Sequence, residues 1–183
     1  MKSILAFAGS YSSNSINQML VTYAANLAQT TKVNIILLRQ YPLPIYSWDL
    51  EQEGFPSELL ALRKLFDQAD GFLIAVPEYN SSMPAAFKNT IDWISRLEGK
   101  PLQDKPVLLL SASSGARGGA SVQQHLLRVL PFWGAKLTGS FSLPRFKDNF
   151  ADNQLTGEYL QGLQAAVAAL ENATDLDLPA SDS

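Results

Sequence analysis

The sequence predicts an α/β domain built on a five-stranded parallel sheet of order 2-1-3-4-5, covered by helices on both sides. Three observations carry this. Five short apolar runs alternate with segments whose apolar residues recur at helical spacing. The runs are continuous rather than alternating, as strands buried on both faces require. Right-handed crossovers then leave few topologies, and this order is one of the two common ones for a chain of 183 residues. In that order the loops after strands 1, 3 and 4 open on one edge of the sheet, with the switch point between strands 1 and 3. Those three loops are the polar ones.

The first strand is Ile4 to Ala8, broken at Gly9. Ser10, Ser12, Ser13, Asn14 and Ser15 follow, and Ile16, Met19, Leu20, Tyr23, Ala24 and Leu27 then recur as a helix. A strand feeding a hydroxyl-rich turn at a helix start is either an anion cradle or an ordinary capped connection. Val33 to Leu38 is the second strand, expected to be buried on both faces. Tyr41 to Leu50 holds prolines that exclude a regular element, so Tyr41, Tyr46 and Trp48 make an aromatic loop that covers the sheet end or touches a ligand.

Pro56 opens a helix with Leu59, Leu62, Leu65, Phe66 and Ala69 inward, and Gly71 to Val76 is the third strand. Pro77 to Met83 is the second polar loop, and Pro84 is expected at the first position of a helix carrying Phe87, Ile91 and Ile94. The fourth strand, Val107 to Leu110, runs into Ser111 to Gly119, the third polar loop. A helix with Val122, Leu126, Val129 and Leu130 follows, then the fifth strand, Leu137 to Leu143. A helix from about Glu158 to Leu170 closes a single domain spanning residues 1–183, and residues 171–183 are expected to be a flexible tail.

With 46% apolar residues the class is globular, and a net charge of -3 without a Lys/Arg cluster points away from nucleic acid and anionic membranes. The absence of cysteine removes disulfides, thiolate catalysis and Cys-ligated metals. No stretch is long enough to span a bilayer, so a cytoplasmic protein is expected.

The first turn lacks both the triple-glycine dinucleotide fingerprint and the Lys-Ser/Thr of a P-loop, which suits a single phosphate monoester. Pro77, Tyr79 and Asn80, with the backbone of Gly115, Gly118 and Gly119, offer flat surfaces to a planar ring. A planar heterocycle carrying one phosphate is the ligand these loops suit, and flavin mononucleotide (FMN) fits that description. The cofactor would then carry the chemistry, and no side chain need be catalytic. His125 lies in a helical stretch and reads as structural or solvated. Glu78 reads either as a general base or as a ring contact with an exposed carboxylate. Lys88, Asp92 and Arg96 form a solvated or interface set, and Arg39, Arg117 and Arg145 are candidates for a 2′-phosphate contact.

Pro77-Glu78-Tyr79-Asn80, followed by Lys88-Asn89-x-Ile91-Asp92-Trp93, resembles the NADPH-dependent FMN reductase family, a flavodoxin-like group that includes quinone, azo-dye and chromate reductases. Ser113 to Gly119 with Gln124-His125-Leu126, and Gly9-Ser10 with Ser15 and Asn17, extend the likeness to about residue 145. The resemblance implies a flavodoxin-like three-layer sandwich. It implies that Ser10, Ser15, Ile16 and Asn17 hold the FMN phosphate, that Pro77, Glu78, Tyr79 and Asn80 border the ring and ribityl chain, and that Ser113, Ser114, Gly115 and Gly118 close the other side. It further implies electron transfer from NADPH or NADH through FMN to a small acceptor such as a quinone, azo compound or flavin, in a homodimer or homotetramer with Trp93 as an interface anchor. The family pattern generally has Arg where this chain has Ser12, and Ser12, Ser13 and Ser15 are expected to substitute at reduced affinity. The competing readings are a flavodoxin-type electron carrier and a cofactor-free scaffold of the same fold.

Overall fold

Successive residues of the central strands alternate between two separate cores. Leu5 and Phe7 of β1 (Ser3–Ala8), Phe72 and Ile74 of β3 (Gly71–Ala75), and Val107 and Leu109 of β4 (Lys105–Ala112) face one side. Ile4, Ala6, Ala8, Leu73, Ala75, Leu108 and Leu110 face the other. This is the period of a strand expressed on two apolar faces, which is why these segments read as unbroken apolar runs. The computed structural model describes residues 1–155 and 157–175.

With β2 (Lys32–Ile35) and β5 (Ala135–Leu143) the strands form a sheet of order β2-β1-β3-β4-β5, every pairing parallel, as expected. The first core is closed by α3 (Ser57–Gln68), α4 (Ala85–Ile94) and α5 (Ala120–Val129), the second by α1 (Ile16–Ala25) and α7 (Gly157–Asp175). Phe66 sits between Phe7 and Phe72, with ring centroids 5.7 and 5.0 Å away. Each such ring, fully buried, contributes about 1.5–3 kcal/mol.

Several expectations are corrected. β2 is an edge strand with Lys32, Asn34 and Ile35 exposed, so it is not buried on both faces; the apolar residues after it, Ile36 and Leu38, enter the core instead. Pro84 caps α4 from outside, with φ -61° and ψ 146°, rather than starting it. The aromatic loop does cover the first core through Tyr41 and Tyr46, but Trp48 begins a short helix, α2 (Trp48–Gln52), and is 65% exposed. Between β5 and α7 the chain forms α6 (Phe146–Asn149) and a small antiparallel hairpin of β6 (Phe150–Ala151) and β7 (Gln154–Leu155), none of it expected.

Trp93 is fully buried: its indole N–H donates to the Pro44 carbonyl at 2.7 Å and its ring meets Tyr46 edge-on. It anchors the aromatic loop, not a second subunit. On the same helix Lys88 pairs with Asp92 at 2.6 Å, and in the turn beyond its end Arg96 reaches Glu51 of α2 at 2.9 Å. The Tyr46 hydroxyl also donates to Glu51, and that bond, with the one from Arg96, holds the Glu51 carboxyl below its ordinary range.

The expected tail divides in two. Residues 171–175 continue α7, and Glu171 and Thr174 are buried there. Gly71 leaves the room that Thr174 occupies, since a Cβ at 71 would lie 2.5 Å from the Thr174 methyl. Residues 176–183 lie outside the described residues.

Candidate functional site

The first loop leaves the sheet at Gly9, whose N–H donates to the Ala75 carbonyl at 2.8 Å. No side chain fits there, because a Cβ would stand 2.8 Å from ring carbons of Phe87 on α4. Gly9→Ala must push that buried ring aside, and a destabilisation of about 2 kcal/mol is expected in urea unfolding. Beyond Gly9, the Ser10 hydroxyl oxygen accepts from the Ser12 N–H at 3.2 Å, and Ser15 caps α1 by accepting from the Gln18 N–H at 3.3 Å. Ser10 and Ser15 are only 6% and 8% exposed, whereas Ser12, Ser13 and Asn14 face solvent. The N–H groups of Ile16 and Asn17 belong to the first helical turn, where no intrahelical acceptor exists and the helix dipole is positive.

Asn17 has a second role that its place in the motif did not reveal. Its amide pairs with both backbone groups of Ala112, donating to the carbonyl at 3.0 Å and accepting from the N–H at 2.8 Å. The side chain thus rivets α1 to the end of β4. With the side chain committed to Ala112, the backbone N–H of Asn17 is what remains to donate to a ligand.

In the second loop Tyr79 and Ser82 exchange backbone hydrogen bonds of 2.9 and 3.0 Å around Asn80 and Ser81, whose φ values are 51° and 63°. This is a two-residue turn with both central residues left-handed. Tyr79 is 51% exposed at its rim. The Glu78 carboxylate is half-buried, and one of its oxygens accepts from the Ser121 and Val122 N–H groups of α5 at 2.9 and 3.1 Å.

The third loop turns its glycines inward. Gly118 is buried with φ +60°, its carbonyl accepts from the Ser111 and Ser142 hydroxyls at 2.6 and 2.7 Å, and a Cβ would collide with Ser142. Gly118 therefore packs the underside of the loop and does not line the cleft. Gly115 is exposed, with its carbonyl held by the Ser113 hydroxyl and the Arg145 N–H.

Ser10, Ser12, Ser15, Ile16 and Asn17, together with Pro77, Glu78, Tyr79, Ser113 and Ser114, line one open cleft of about 240 Å³, joined by Asn14 and Ala112. Asn80, Gly115 and Gly118 do not line it. No Lys, Arg or His is among its lining residues, and its one carboxylate is engaged with α5. An anion entering this cleft meets hydroxyls and helical N–H groups, while one oxygen of the single carboxylate there is turned onto α5.

A parallel sheet of order β2-β1-β3-β4-β5, with the loops after β1, β3 and β4 meeting at its switch point, defines a flavodoxin-like protein. Within that class the chain belongs to the NADPH-dependent FMN reductase family, whose model matches residues 2–148. It is 37% identical over 161 residues to a quinone reductase of Escherichia coli, covering 86% of this chain and 84% of that one. An NAD(P)H-dependent FMN reductase of Pseudomonas aeruginosa is 37% identical over 129 residues, covering 70% and 69%. Among solved structures, the flavoenzyme NAD(P)H:(acceptor) oxidoreductase FerB of Paracoccus denitrificans matches with a TM-score of 0.79 at 28% identity, covering 96% and 98%. The protein is thus an FMN-dependent oxidoreductase that uses NAD(P)H.

Proposed function

We propose that the three-loop cleft holds FMN and that the acceptor is a quinone. The observation that carries the site is the donor set at the start of α1. The hydroxyls of Ser10, Ser12 and Ser15 and the N–H groups of Ile16 and Asn17 line one end of a cleft whose carboxylate is engaged elsewhere. That set suits a phosphate monoester. Pro77, Tyr79 and the Asn80 turn border the ring from one side, and Ser113 and Ser114, with Gly115 at the rim, border it from the other. FMN, when bound, supplies the carrier that takes electrons from NAD(P)H and passes them to the acceptor. The chain's part is to orient the ring, give it hydrogen bonds and keep one face open to small molecules.

The quinone assignment rests on the relatives of high coverage that carry that name. A homodimer or homotetramer belongs to the same reading. Ile45 and Trp48, 85% and 65% exposed, provide apolar surface for a neighbour, in place of the buried Trp93. Among the described residues no helix is long and apolar enough to cross a membrane, and a cytoplasmic location belongs to the same reading.

Purified protein titrated with FMN is expected to perturb the visible flavin spectrum at micromolar concentration and then, without oxygen, to oxidise NADPH beyond one equivalent per FMN when a quinone such as benzoquinone is added as the terminal oxidant. Absence of flavin binding in that range ends the site assignment. Binding with NADPH oxidation that no quinone accelerates ends the acceptor assignment.

A further inference from the structure

We infer that Glu78 and His125 are positioning residues that latch the second loop onto α5 and so form one rim of the cofactor site before any ligand arrives. The inference rests on the FMN reading above. The cap of α5 is Gly119, which has no side chain to satisfy the first-turn N–H groups. Glu78 supplies the missing acceptor from another loop, taking the Ser121 and Val122 N–H groups at 2.9 and 3.1 Å. A carboxylate at this end of a helix is also favoured by the dipole. One turn further along, the His125 Nδ1 lies 3.0 Å from the Ser82 hydroxyl, a bond that either partner can donate. Residues 121, 122 and 125 share a helix face by their spacing.

The two ties enclose the turn Tyr79-Asn80-Ser81-Ser82 at both ends. That turn needs it, since Asn80 and Ser81 both hold left-handed backbone, with φ of 51° and 63°, which non-glycine residues resist. Without the latch the turn loosens, and FMN must order it on binding, which weakens affinity; Ser82 and His125 lie outside the cleft lining, so their variants read this effect with no lining residue removed. His125, exposed and apart from the cleft lining, thereby gains a role at the site through Ser82.

The test pairs FMN fluorescence titration with amide hydrogen exchange at Tyr79 and Ser82 in the flavin-free protein. Glu78→Ala is expected to raise the FMN Kd roughly 10-fold, as loss of a helix cap implies. Ser82→Ala and His125→Ala are each expected to raise it about 3-fold, and the double variant no further, because one bond is lost in all three. His125→Asn, whose amide can occupy the place of Nδ1, is expected to restore wild-type affinity. Exchange at both amides should quicken in every weakened variant. Should Glu78→Ala not fold, Glu78→Gln, which keeps an acceptor oxygen, and Ser82→Ala, which removes only a hydroxyl, carry the same comparison.

Wild-type Kd and unchanged exchange in Ser82→Ala and His125→Ala overturn the latch, as does an additive double variant. Turnover abolished in Glu78→Gln at unaltered Kd also overturns it, since that marks a general base. A wild-type protein that binds no FMN defeats the cofactor reading instead, while the exchange comparison still decides whether the latch exists.

Discussion

Replacing Glu171 by alanine is expected to lower the unfolding free energy by about 3 kcal/mol, among the largest single-site effects in this chain. Its carboxylate, 5% exposed on α7, accepts from the N–H groups of Gln29, Thr30 and Thr31 at 2.9, 2.8 and 3.0 Å, and from both threonine hydroxyls at 3.1 and 3.0 Å. Each such bond to a charged acceptor contributes about 1.5–3 kcal/mol. The sum is discounted because Gln29 and Thr30 are exposed and water can replace part of what is lost. The loss should appear as a lower urea midpoint at neutral pH.

The pH dependence has a definite sign. Burial pushes the Glu171 carboxyl up, but the N–H groups of Thr30, Gln29 and Thr31 and the Thr31 hydroxyl outweigh it, so the group lies below its ordinary value of 4.5. A depressed carboxyl stabilises the fold above the unfolded value and loses that contribution as pH falls through the folded one. The gap between wild type and Glu171→Ala is therefore expected to stay constant above that ordinary value and to close on further acidification. A gap that widens in acid contradicts the assignment.

Glu171 also shows where the sequence stops being legible. Its partners lie 140 to 142 residues away, and in the linear chain it begins an acidic stretch that reads as a tail. Asn17 clamps a backbone 95 residues distant, Glu78 caps a helix 43 residues on, and Trp93 bonds a carbonyl 49 residues back. Nothing in local composition marks such pairs. What local composition does mark is periodicity and small polar turns. For that reason β1, β3, β4 and the three converging loops could be read directly, down to most of the cleft lining. Gly118 is ambiguous for a related reason: a glycine shows that a side chain is excluded, not from which side, and here Ser142 excludes it.

Ser12→Arg is expected to tighten FMN binding by roughly 10-fold or more, the gain a charge-assisted, bidentate phosphate contact implies. Ser12 is exposed, and its place in the turn is held by its backbone N–H to Ser10 at 3.2 Å, so the new side chain disturbs no packing. The cleft lining contains no other cation, and a guanidinium there would act on the phosphate without a rival. Because Ser12 is exposed, the gain should shrink as salt rises. Fluorescence titration of both proteins at low and high sodium chloride reads both effects. Equal affinities at low salt would mean that the phosphate is not held at the first turn of α1, and a gain indifferent to salt would mean that the arginine acts by packing rather than by charge.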